Sequence, residues 1–108
     1  MKFQLSVIDD HSREHTAAER QAIDDLNDKM VSHGYRLFAG GLDVASKARV
    51  LDYRDGASKV TDGTLFSAQE NYSGVWLIDV PNEEIAHQLA IEASQSCNRK
   101  VELRPFRG

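Results

Sequence analysis

The sequence predicts an α+β fold, a ferredoxin-like sandwich of order β-α-β-hairpin-β-α-β, on three observations. Two stretches join helix-start chemistry to apolar residues at three- and four-residue steps, one after Thr16 and one after Asn82. Short runs of strand character flank each of them. Asp55-Gly56 supplies a hairpin turn between the two halves. At 108 residues the chain has the size of one domain, so residues 1–108 are read as a single unit around one core.

Taken in order, Lys2 to Ile8 alternates, with Phe3, Leu5 and Val7 on one side and Lys2, Gln4 and Ser6 on the other, as a half-buried strand does. A polar connection follows, and Thr16-Ala-Ala-Glu19 has the spacing of a capping box. Ile23, Leu26 and Met30, with Ala22, then form the apolar stripe of a helix that Gly34 stops. Tyr35 to Leu42 reads as a strand weakened at Gly40-Gly41, and Ala48 to Arg54 turns at Asp55-Gly56 toward Lys59 to Thr61. Val75 to Val80 is a near-continuous apolar run suited to a central strand, ended by Pro81. Asn82 caps the second helix, with Glu83 and Glu84 at its positive end and Ile85, Leu89, Ala90 and Ala93 as its stripe. Asn98 takes the left-handed stop, and Val101 and Leu103 face inward along a last strand that Pro105 closes. Two helices cover one face of such a sheet, so the other, to which Trp76 and Ile78 are assigned, calls for a partner. A second copy meeting it sheet to sheet gives a homodimeric barrel.

Composition narrows the function. The net charge of −4 spreads thirteen basic residues among seventeen acids, which leaves no basic patch for nucleic acid. The stretch between Lys2 and Asp9 is too short for a signal-peptide core or a membrane span, so cytoplasmic residence and no membrane partner are expected. The single Cys97 has no internal disulfide partner and reads as a small packing residue. Gly40-Gly41 lacks the spacing of a nucleotide loop, and no GxSxG or cysteine-histidine pair supports acyl transfer; no cofactor is expected.

The stretch Val60 to Gly74, VTDGTLFSAQENYSG, brings Asp62 and Glu70 near the middle of the chain. With Asp55-Gly56, Val60-Thr61-Asp62-Gly63, Glu70, Gly74, a Gly41-Leu42 element and a closing Val101-Glu102-Leu103-Arg104-Pro105, the chain resembles the YCII-related superfamily, and within it the small proteins with a DGPF signature. The likeness covers nearly the whole chain, but Thr64-Leu65 stands where that group has Pro-Phe and Ser67-Ala68-Gln69 where it has Glu-Thr-Lys, which removes two charges. The resemblance implies a dimeric α+β barrel with a cleft in each subunit, and some relatives carry a His and an Asp in that cleft.

Four residues carry the chemical expectations. Asp62 is the candidate general base, with a turn role as its competitor because Asp-Gly is a common turn pair. His11, on the loop that leaves the first strand, is a candidate for proton transfer. Glu70 and Arg104 are candidate ligand-binding groups, with mutual pairing across the sheet as the alternative. His11 and His15 lie four apart near Asp9, Asp10 and Glu14, but without HExxH order and ahead of the helix they are not assigned a metal. Tyr35, Phe38, Tyr53, Phe66, Tyr72, Trp76 and Phe106 suit a core, an interface or an apolar cleft, with core or interface favoured for Trp76. The sequence thus points to a small organic ligand in a cleft, with cofactor-independent acid–base catalysis as one extension and a non-catalytic interaction module as the alternative.

Overall fold

A computed structural model describes residues 1–65 and 69–108, so Phe66, Ser67 and Ala68 of the central stretch lie outside the described residues. The elements are β1 (Lys2–Asp9), α1 (Ala17–Ser32), β2 (Arg36–Gly41), β3 (Arg49–Asp52), β4 (Lys59–Asp62), β5 (Asn71–Asp79), α2 (Glu83–Cys97) and β6 (Lys100–Pro105). Four strands form an antiparallel sheet in the order β2-β5-β1-β6, while β3 and β4 pair as a separate antiparallel ribbon. The fold is therefore α+β, and both helices pack on one face of the larger sheet.

Helix boundaries follow their capping chemistry. The Thr16 hydroxyl accepts from the Glu19 amide at 3.1 Å while the Glu19 carboxylate accepts from the Thr16 amide at 3.0 Å. This reciprocal capping box satisfies two donors that the first turn would otherwise leave open. Gly34 follows the His33 cap with φ of +72°, a conformation that costs glycine little. At α2 the Asn82 side chain accepts from the Ile85 amide at 2.9 Å, and Asn98 ends the helix with φ of +51°.

The core lies between the helices and one face of the sheet. Register sets Phe3 opposite Ile78 and Leu5 opposite Trp76, and alternation then sends these side chains to the same face. They meet Leu26 and Met30 from α1 and Ala86, Leu89, Ala93 and Cys97 from α2. Trp76 and Ile78 are thus core residues, 5% and 0% exposed, and not part of the open face. An unbroken apolar run carries no alternation of its own, so only pairing with β1 fixes its phase. The neighbouring positions Val75 and Leu77, half-buried, occupy the open face instead.

β5 also starts earlier than its apolar run suggests. Asn71 and Tyr72 pair with Asp9 and Ile8 beyond a register shift at Val7/Ile8, which places Gly74 inside the strand rather than ahead of it. The turn between β3 and β4 contains Asp55 and Gly56 at φ of +51° and +80°, the positive values that tight hairpin turns require.

Met30 is fully buried at the centre of the helix–sheet interface. Met30→Ala should therefore cost about 2–5 kcal/mol in urea-monitored unfolding; a loss under about 0.5 kcal/mol, the range of surface substitutions, would contradict this packing.

Candidate functional site

The sequence-predicted site residues do not converge. His11 sits with φ of +61° at the exposed end of β1, its ring Nε2 2.6 Å from Oδ1 of Asn71. Glu70 is next in sequence to Asn71, and its carboxylate accepts from Lys100 Nζ at 2.7 Å. His11 and Glu70 therefore share one end of the sheet. Arg104 pairs with Glu102 at 2.9 Å, so the expected Glu70–Arg104 pairing is replaced by two others. The reason is register: Lys100 stands opposite Ile8 and Arg104 opposite Gln4. Four strand residues place Arg104 about 13 Å farther along β6. Asp62 ends β4 on the separate ribbon, exposed, and Gly63 after it adopts φ of +93° with its amide donating to the Ala48 carbonyl at 2.7 Å. The turn geometry at this pair is made by the glycine and its backbone.

A cleft of about 260 Å³ lies instead between α1 and the β2–β5 edge of the sheet. Glycines make the space: Gly41 and Gly74 are register partners, and a methyl group at position 74 would sit 3.8 Å from Val7 Cγ2 and 3.4 Å from the Gly40 carbonyl. Val7, Ile23, Ala39, Trp76 and Cys97 give it apolar walls, and His15, Asn27 and Arg36 supply side-chain polarity. Burial pushes the Cys97 thiol up from its usual value, which keeps it a neutral wall group.

Asn27 ties the cleft together. Its Oδ1 accepts from the Trp76 indole N–H at 2.9 Å and from Arg36 Nη1 at 3.2 Å, while its Nδ2 donates to the Ile23 carbonyl at 3.0 Å. The indole, the helix and the β2 guanidinium are thereby held in one arrangement. His15 enters from the connection before α1, with its side chain 32% exposed and its Nδ1 3.6 Å from Glu19 Oε1. That separation is too long for a hydrogen bond, and the buried Nδ1 has no hydrogen-bond partner.

Glu19 is itself strongly held. Arg13 grips both carboxylate oxygens at 2.8 Å, and this, with the Thr16 amide, lowers the carboxyl from 4.5 to about 2. Arg99 braces the same region, with Nε 3.2 Å from Asp9, Nη1 3.9 Å from Glu19 and Nη2 donating to the Arg13 carbonyl at 2.9 Å. Burial pushes the Asp9 carboxyl up, but hydrogen bonds from the His11 amide and Arg99 outweigh it and the net shift is downward. A carboxylate ionised at neutral pH beside the inner nitrogen of an imidazole that lines a cleft is an arrangement that can orient the ring toward a bound molecule.

Sequence reasoning missed this constellation. The His15–Glu19 spacing of four and the interruption of the α1 stripe by Asn27 were the signals available. Among the described residues no group of three or more His, Cys, Asp or Glu is arranged to hold a metal ion, and no helix is long and apolar enough to cross a membrane. A second recess of about 700 Å³ is lined by Ile8, by Leu42 to Ala45 with Lys47 and Ala48, and by Thr64, Leu65 and Glu70 to Tyr72. No protein-family model matches the chain and no curated protein matches it significantly, so the YCII-related resemblance rests on its motifs alone.

The Glu19 interaction has a pH signature. Its folded value lies below the unfolded one, so its stabilisation is complete above about pH 4.5 and is lost as pH falls toward 2. Urea midpoints measured down this range should fall more steeply for the wild type than for Glu19→Gln; parallel curves would contradict the Arg13–Glu19 geometry.

Proposed function

We propose that the protein is a cytoplasmic homodimer of ferredoxin-like subunits, a dimeric α+β barrel of YCII-related, DGPF-like type. Its cleft between α1 and the sheet binds a small organic molecule, and His15 exchanges a proton with a ligand that can give or take one. The observation that carries this reading is His15, whose partly exposed side chain lines the cleft while its buried Nδ1, without a hydrogen-bond partner, lies 3.6 Å from the ionised Glu19 carboxylate. No cofactor is invoked. His11 and Glu70 belong to the sheet end next to the second recess, and in this reading Asp62 and Arg104 serve the ribbon and the open face.

Two features support the dimer. The radius of gyration is 15.7 Å, against about 13 Å for a compact chain of this length. The ribbon also shows Leu51 and Val60, directly paired, at 64% and 50% exposure, and a two-stranded ribbon alone is marginal in water. The open face adds Phe38 at 55% and Tyr72 at 50%. A second copy would cover both. These same exposed residues favour the second reading, an interaction module whose surfaces exist for assembly alone.

Light scattering should give about twice 12.1 kDa at micromolar concentration, and a stable monomer would defeat the barrel. For the cleft, a ligand at a hundredfold its Kd should add about 2.7 kcal/mol of stability in a thermal-shift screen of metabolites. The shift should vanish in His15→Ala and shrink in Gly74→Ala, whose added methyl makes ordinary contacts and occupies the cleft. A dimer that responds to no compound would favour the interaction module.

A further inference from the structure

We infer that the ligand of the α1–sheet cleft is a small organic carboxylate with an apolar body, anchored at its charged end by Arg36. The inference rests on the cleft being the ligand site and adds the chemical class that fits it. No Asp or Glu lines the cleft, although acids outnumber bases in the chain and the net charge is −4. Its one permanently charged lining group is Arg36. The acid beside His15, Glu19, is already paired with the Arg13 fork and with Arg99, so it adds little repulsion toward an incoming anion.

The Arg36 guanidinium is oriented rather than merely present. One of its nitrogens donates to Asn27 Oδ1 at 3.2 Å, and Asn27 is fixed in turn by Trp76 and the Ile23 carbonyl. The planar fork retains other donors, and paired N–H groups match the two oxygens of a carboxylate. Beside it the surface turns apolar, through Trp76, Ala39, Ile23 and Val7. A volume of about 260 Å³ corresponds to roughly eight or nine water-sized groups at about 30 Å³ each. That suits a single-ring or short-chain acid.

NMR titration of the intact protein with benzoate, benzamide and sulfate tests this. Benzoate should move the His15 ring and Trp76 indole resonances and bind about tenfold or more tightly than benzamide. Arg36→Met should erase that preference and Arg36→Lys, which keeps the charge, should retain part of it, with melting temperatures of both variants near wild type. If benzamide binds as tightly as benzoate, or Arg36→Met leaves the preference intact, the carboxylate anchor is wrong while the cleft stands as a ligand site. Sulfate moving the same resonances as strongly as benzoate would overturn the apolar body. If no probe moves His15 or Trp76, both the class and the cleft reading fall.

Discussion

One guanidinium, that of Arg99, ties together the parts of the chain on which the cleft depends. Its side chain is 7% exposed and it reaches the end of β1 through Asp9, the start of α1 through Glu19 and the connection between them through the Arg13 carbonyl. It also donates to the Cys97 carbonyl at 3.1 Å, which holds the α2–β6 turn to the same point. A buried charge left without partners is costly, so the several acceptors around Arg99 form a connected set in which losing one exposes the rest. The consequence is a braced connection where the sequence itself is a polar loop.

That bracing reaches the cleft through Glu19. The same carboxylate closes the capping box, receives the Arg13 fork and faces His15, so helix initiation and the placement of the imidazole are a single structural event. Across the cleft, Asn27 plays the matching part by joining Trp76, Arg36 and the α1 backbone. Glycines at 41 and 74 then leave the intervening volume unfilled. Space, an imidazole and a guanidinium are brought together by three different devices, none of them contiguous in sequence.

The exposed surfaces follow from the same architecture. Two helices suffice for one face of the four-stranded sheet, and the open face keeps Val75, Leu77, Phe38 and Tyr72 beside Glu102 and Arg104. The β3–β4 ribbon packs chiefly on itself, and the molecule extends over 46 × 36 × 17 Å. Apolar residues are thus exposed both on a ribbon that packs mainly on itself and on a sheet face without helices.

By itself the sequence determined the order of the elements and the ends of both helices. Thr16-Ala-Ala-Glu19, Asn82, Gly34, Asn98 and Asp55-Gly56 act within a few residues of themselves, and periodicity marked the inner faces of β1, α1 and α2. Tertiary structure decided what no local signal contains. It set the phase of the apolar run at Val75–Val80, which sent Trp76 inward, and it set the register that gave Glu70 to Lys100 rather than to Arg104. It also assembled His15, Asn27 and Arg36 around one space, moving the centre of interest from the Val60–Gly74 stretch to the α1–sheet cleft. Capping and amphipathicity are short-range and readable along the chain, whereas a site is a long-range coincidence of register and packing that exists only once the strands have paired.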